Sequence, residues 1–181
     1  MLLIILIIIL IIILTSTRCI GIHRERFQGS AEPIFSVNYA SLITEDPVLV
    51  LTMGDVVSEP TVTYFSGSPT VGQLYTILMY DPDAPTITGK ANWLHWLVVN
   101  IPGTSAGDKI LHPNLGVTRA KYIGPSPPPG TGNHRYIIQL YRQLGKIPTN
   151  WINNRSNFAL DQFVADQSLS LINGIKYIVK G

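Results

Sequence analysis

Leu74-Tyr75-Thr76-Ile77-Leu78-Met79-Tyr80-Asp81-Pro82-Asp83-Ala84-Pro85 is the stretch on which the fold turns. Its first seven residues are nearly all apolar and rich in aromatic and branched side chains. Such a run is short for a helix and reads as a strand buried on both faces. It ends on two carboxylates separated by proline. Prolines fix φ and stiffen the backbone, so Asp81 and Asp83 sit two residues apart on a rigid turn that can hold both toward one point. Taken alone, Asp81–Pro85 also has a plainer reading, a polar loop with aspartate as turn former.

Topology weighs against the plainer reading. Leu94–Ile101 is a second apolar run, opened by Trp93-Leu94-His95-Trp96. When two such runs pair as consecutive antiparallel strands, the end of the first lies beside the start of the second. Asp81, Asp83 and His95 then meet at one rim of a sheet, with Trp93 as its apolar wall. A third polar concentration follows in Gly124-Pro125-Ser126-Pro127-Pro128-Pro129-Gly130-Thr131-Gly132-Asn133-His134-Arg135-Tyr136. Gly130 and Gly132 allow close backbone approach to a ligand, and amides around them would form a small anion-binding concavity. His134 and Tyr136 are two apart on a strand and share a face. A polyproline linker is the alternative, but linkers do not usually run into an aromatic strand.

Outward from these motifs, Val48–Thr52, Thr61–Phe65 and Ile175–Val179 read as further strands. Arg135–Tyr141 alternates, with Tyr136, Ile138 and Leu140 on one face. One segment reads as a helix: Leu160, Phe163 and Val164 recur at helical spacing, with Ser156 as the expected cap. Asn173-Gly174 reads as a turn. Pro102–Gly132 shows little pattern apart from a possible short helix around Asp108–Leu111. A mainly β domain, sandwich or barrel, with few peripheral helices is the fold class these patterns predict.

The N-terminal end belongs to a different regime. Residues Leu2–Leu14 are all Leu or Ile, a run too short to span a bilayer comfortably and of signal-peptide length. Thr17 and Cys19 occupy small-residue positions, so residues 1–19 are expected as a cleaved leader and the mature protein as secreted. Residues 20–33 are expected as a flexible segment, and 34–181 as one domain with a real core. The net charge is only +2, which gives no nucleic-acid footprint. Cys19 is the single cysteine, so the mature chain is expected to hold no disulfide. Asn154-Arg155-Ser156 fits the N-glycosylation acceptor pattern, with Asn154 as the acceptor.

Asp81-Pro82-Asp83-Ala84-Pro85, Trp93 through Asn100 and Gly130 through Tyr136 together resemble the signatures of the phosphatidylethanolamine-binding proteins, also called Raf kinase inhibitor proteins. The three motifs stand in the family's order, and the resemblance extends over roughly residues 34 to 179. It implies a large central antiparallel sheet, a smaller sheet packed on it and few helices. It also implies a pocket for phosphate-like groups, held by Asp81, Asp83, His95, His134 and Tyr136, with walls from Pro85, Trp93, Pro127 and Pro128. Ser126 joins that wall where many animal members have glycine. Vertebrate members carry a C-terminal helix near the pocket mouth, whereas Gly181 follows soon after Val179, so an open entrance is expected.

Carboxylates repel phosphate, so their use here is to orient histidines as donors or to accept from an ethanolamine ammonium. A secreted module binding phosphorylated head groups of the phosphatidylethanolamine type is therefore the leading expectation, with membrane contact at most peripheral. A protease or kinase inhibitor acting by protein contact is the alternative. A metal-dependent or acid/base hydrolase is the third, and it is disfavoured. The paired aspartates are too close in sequence to straddle a scissile bond, and neither a nucleophile elbow nor His-Glu-x-x-His occurs. No catalytic residue, metal or cofactor is expected.

Overall fold

Apolar runs and alternating strands assemble into two sheets in the computed structural model, which describes residues 20–22, 35–39, 49–64, 70–104 and 110–181. The strands are β1 (Ile20–Ile22), β2 (Phe35–Tyr39), β3 (Val50–Leu51), β4 (Thr61–Tyr64), β5 (Leu74–Thr86), β6 (Gly89–Pro102), β7 (Ile110–Leu111), β8 (Val117–Ala120), β9 (Asn133–Gln143) and β10 (Leu169–Lys180). The large sheet runs β3-β10-β9-β5-β6-β8 and the small one β1-β2-β4-β7. Every pair is antiparallel except β3 with β10, which makes the large sheet mixed at one edge. Among the described residues there is one α-helix, α1 (Leu160–Asp166), and it packs outside.

Why Leu74–Tyr80 is apolar on both faces is now plain. One face of the large sheet carries Ile77, Met79, Trp96, Ile138 and Tyr177, joined by Val62 and Leu111 of the small sheet. The other face carries Leu78, Tyr80, Leu97, Val99 and Tyr141, covered by Ile147, Phe158 and the α1 residues Leu160, Phe163 and Val164. The central strands thus lie between two cores, and each apolar residue finds a partner whichever way it points.

Several local expectations are revised. Asp81–Pro85 is not a free turn but the outer part of β5, which pairs with β6 through a hairpin at Thr86 and Gly89. The register breaks between Asp81 and Ala84, so Pro82 and Asp83 sit in a bulge, where a proline costs no ladder bond. Ser156 does not cap α1; Ala159 stands at that position without a side-chain bond. Asn157, at φ 51°, turns the chain between them. Asn173-Gly174 is not a turn either. It lies inside β10 at a register shift opposite Leu140 and Gln139. The unpatterned Pro102–Gly132 segment contains β7 and the edge strand β8. Residues 105–109, which include Asp108 and Lys109 of the possible short helix there, lie outside the described residues, and Ile110–Leu111 is strand. The leader, residues 1–19, and residues 23–33 also lie outside them. Ile20–Ile22, counted from sequence with the flexible segment, pairs with Val37–Tyr39. Among the described residues, no helix is long and apolar enough to cross a membrane.

Candidate functional site

The antiparallel register sets Asp81 opposite Trp93, one step from Tyr80 opposite Leu94. His134 and Tyr136 enter from β9, the neighbour of β5 on its other side. A cavity of about 300 Å³ opens at this rim, lined by Asp81, His95 and His134 and by all five expected wall residues: Pro85, Trp93, Ser126, Pro127 and Pro128. Ala84, Ile123 and Gly124 complete it. The volume is at the small end for a ligand pocket, and its surface is mostly apolar.

Two of its polar side chains are already committed to each other. His134 Nδ1 lies 2.7 Å from Asp81 Oδ2, and both side chains are almost fully buried. His134 Nε2 lies 2.8 Å from Thr131 Oγ1, whose own proton goes to Pro128 O at 2.6 Å. Both ring nitrogens of His134 are thus engaged by protein partners. The other Asp81 oxygen accepts from the Asp83 amide at 2.7 Å. His134 therefore braces the cavity and has no ring nitrogen left over.

His95 is arranged differently. Its Nδ1 sits 2.7 Å from Ile123 O; a carbonyl only accepts, so Nδ1 carries the proton. Nε2 makes no hydrogen bond among the described residues and belongs to the side chain that lines the cavity. Burial pushes the imidazole below its ordinary value, against the opposing pull of the Ile123 carbonyl and Asp81. The neutral ring therefore presents an acceptor, and a ligand anion requires a proton on that nitrogen. Tyr136 packs edge-on against the His95 ring, with centroids 5.1 Å apart, and lies behind the cavity lining. Burial pushes its phenol far above the ordinary range, the Asp81 charge adding to the effect.

Asp83 is not part of the lining. Its carboxylate takes the Arg135 guanidinium at 2.7 and 2.9 Å and the Arg135 amide at 3.0 Å. Lys90 adds a longer contact at 3.4 Å. These bonds hold the Asp83 carboxyl well below the usual carboxylate range, and they fasten the β5 bulge to β9. The two aspartates thus point to different partners, not to one point. Gly130 and Gly132 are likewise outside the lining. Both have positive φ, and they turn the chain back into β9. Thr131, Ile123 and Arg135, which sequence reading passed over, supply the bonds that hold the site. Only Arg135 was findable, as a charge beside the predicted histidine. Among the described residues, no group of three or more His, Cys, Asp or Glu is placed to hold a metal. Asn154 is exposed, and its side chain accepts from the Ser156 amide at 3.1 Å.

The phosphatidylethanolamine-binding protein profile matches residues 39–175. A 26 kDa secreted antigen of Toxocara canis is 34% identical over 121 residues, 66% of this chain and 42% of the antigen. The chain thus spans about two fifths of that relative's length. The solution structure of CG7054 is 37% identical with a TM-score of 0.59, covering 82% of this chain and 86% of that one. A carboxypeptidase Y inhibitor, solved in complex with its cognate proteinase, shares the fold at 21% identity and a TM-score of 0.58, covering 73% and 75%.

Proposed function

Since the chain belongs to the phosphatidylethanolamine-binding protein family, we propose that it is a secreted binding protein whose rim cavity holds a phosphorylated head group, without turnover. The observation that carries this reading is His95 Nε2, a polar atom without a hydrogen-bond partner among the described residues, on a mostly apolar wall. A phosphate oxygen meets it once the ring is protonated, a charge-assisted bond. The Asp81–His134 pair beside it limits repulsion of the anion, and its carboxylate attracts an ammonium. A zwitterion of the phosphoethanolamine type fits this mixture better than a bare dianion.

Acid–base turnover would need a second free group to work with His95. Asp81 and His134 are closed onto each other, and Asp83 is closed onto Arg135. Calorimetric titration of phosphoethanolamine and of inorganic phosphate into wild type and His95→Gln tests the binding role. Loss of about ten- to a hundredfold in affinity is expected for a bond to a charged ligand. Equal affinity in both proteins would remove the cavity as the binding site. A second reading follows from the proteinase complex of the structural relative: inhibition of a protease by surface contact. Stoichiometric inhibition across a protease panel, unaffected by His95→Gln, would favour it.

A further inference from the structure

Behind the cavity wall lies a cation whose partners are all backbone. Arg155 belongs to the segment 147–158 that follows β9 and runs along the back of β6 and β8. One guanidinium nitrogen donates to Leu94 O at 3.1 Å and His95 O at 2.9 Å. The other donates to Lys121 O at 2.8 Å. The Arg155 carbonyl in turn accepts from the Leu94 amide at 2.9 Å. These bonds span the two stretches that form the His95 wall. The same stretches also exchange the His95 Nδ1 bond to Ile123 O and the Ile123 amide bond to His95 O, at 2.7 and 3.0 Å.

We propose that Arg155 is a positioning residue of the cavity: it ties the strand carrying His95 to the segment carrying Ile123, and so fixes the ring with Nδ1–H on Ile123 and Nε2 toward the ligand. The planar fork is what the task requires, since it reaches carbonyls on two separate stretches from one rigid group. Among the described residues, the groups facing the His95 ring are Asp81 from β5, His134 and the Tyr136 ring from β9, the Ile123 carbonyl, and Arg155 itself. Asp81 favours the charged ring and is held by His134; Arg155 and His134 disfavour it. Arg155 therefore acts on His95 in two ways, by geometry and by charge.

The head-group reading enters only through the choice of ligand. Imidazole nitrogen NMR of His95 reports its tautomer and titration in the ligand-free protein, and phosphoethanolamine calorimetry reports affinity. Arg155→Gln is expected to loosen the Nδ1–H tautomer, move the His95 titration upward and weaken binding about tenfold, one lost positioned bond. Arg155→Lys keeps the charge but cannot bridge both stretches with one nitrogen. It is expected to leave the titration near wild type while the Nδ1 proton exchanges faster with water. Arg119→Gln is the control: Arg119 bonds the same segment at Asn150 O, at 2.8 Å, and stacks on Phe163. It is expected to lower thermal stability and leave His95 unmoved. An unchanged His95 spectrum and proton exchange in the Arg155 variants, or equal changes in Arg119→Gln, would overturn the proposal. Should Arg155→Gln not fold, proton exchange in Arg155→Lys decides alone. Wild-type protein that ignores phosphoethanolamine would defeat the head-group reading while leaving the His95 measurement to judge Arg155.

Discussion

At the scale of single residues, pH separates the roles of His95 and Asp83. The folded-state value of His95 is depressed, chiefly by burial. The unfolded chain therefore takes up a proton first as pH falls below about 6.5. Stability contributed by the neutral buried ring is complete above that value and declines as pH falls toward the folded value. An anion that requires the protonated ring draws a proton in with it, so phosphate affinity is expected to rise as pH falls over the same window. Calorimetry in buffers of differing ionisation enthalpy should show that uptake, and binding heats independent of buffer would refute it. Asp83 acts at lower pH. Its folded value is held down first by the Arg135 side-chain bonds, so its contribution is complete above about 3.9 and is lost as pH falls below. Asp83→Asn should cost on the order of 1.5–3 kcal/mol at neutral pH and flatten the acid limb of the stability curve, read by urea titration at several pH values. Asp81, His95 and His134 were legible because strand pairing brings ends of adjacent runs together. The parting of Asp81 from Asp83 was not, because it depends on the bulge between Asp81 and Ala84 and on Arg135 reaching across from β9. Thr131 and Ile123 were not legible either: they act through a hydroxyl proton and a main-chain oxygen, which carry no signal in residue type.

Among the elements, the wall segment between β8 and β9 has little regular pattern but a close fit. Gly124 lines the cavity, and a Cβ there would meet Val56 O at 2.7 Å and Val57 Cα at 3.3 Å. Both obstacles are backbone and cannot swing aside. Tyr122 reinforces the contact by donating to Val56 O at 2.7 Å. Gly124→Ala is therefore expected to destabilise by about 1–3 kcal/mol and to weaken phosphoethanolamine binding, because relief requires the wall to move. Thermal denaturation and calorimetry on the same variant check this; wild-type values for both would show that the wall yields freely. Long apolar strands were legible here because both faces of β5 and β6 are buried. β8 was not, since of Val117-Thr118-Arg119-Ala120 only Ala120 is buried and an edge strand carries little apolar signal. The Asn173-Gly174 pair misleads as a turn for a related reason. Gly174 is buried beside Gln139, where a Cβ would stand 3.2 Å from Gln139 Cγ, and the glycine serves that close approach within the sheet.

For the whole molecule, the proposed division is a leader over residues 1–19, a short segment over 20–33 and a domain over 34–181. The strand β1 gives this division a physical consequence. Cleavage after Cys19 would place the new amino group on Ile20, which pairs with Tyr39 at the end of the small sheet. The mature end would then be tied down by main-chain bonds and would not trail in solvent. Secretion is supported by the Leu2–Leu14 run and by the relative that is itself a secreted antigen. A eukaryotic host expressing the full chain should release protein whose N-terminal sequence begins at or near Ile20. Asn154 is exposed, while its neighbour Arg155 points inward to three carbonyls. A glycan at Asn154 would thus project outward without disturbing the bonds behind His95. Enzymatic deglycosylation is expected to shift the mobility of the released protein, and Asn154→Gln to abolish that shift while phosphoethanolamine affinity stays at the wild-type value. Protein retained in the membrane fraction with Met1 intact would overturn the leader and, with it, the route by which Asn154 meets the glycosylation machinery.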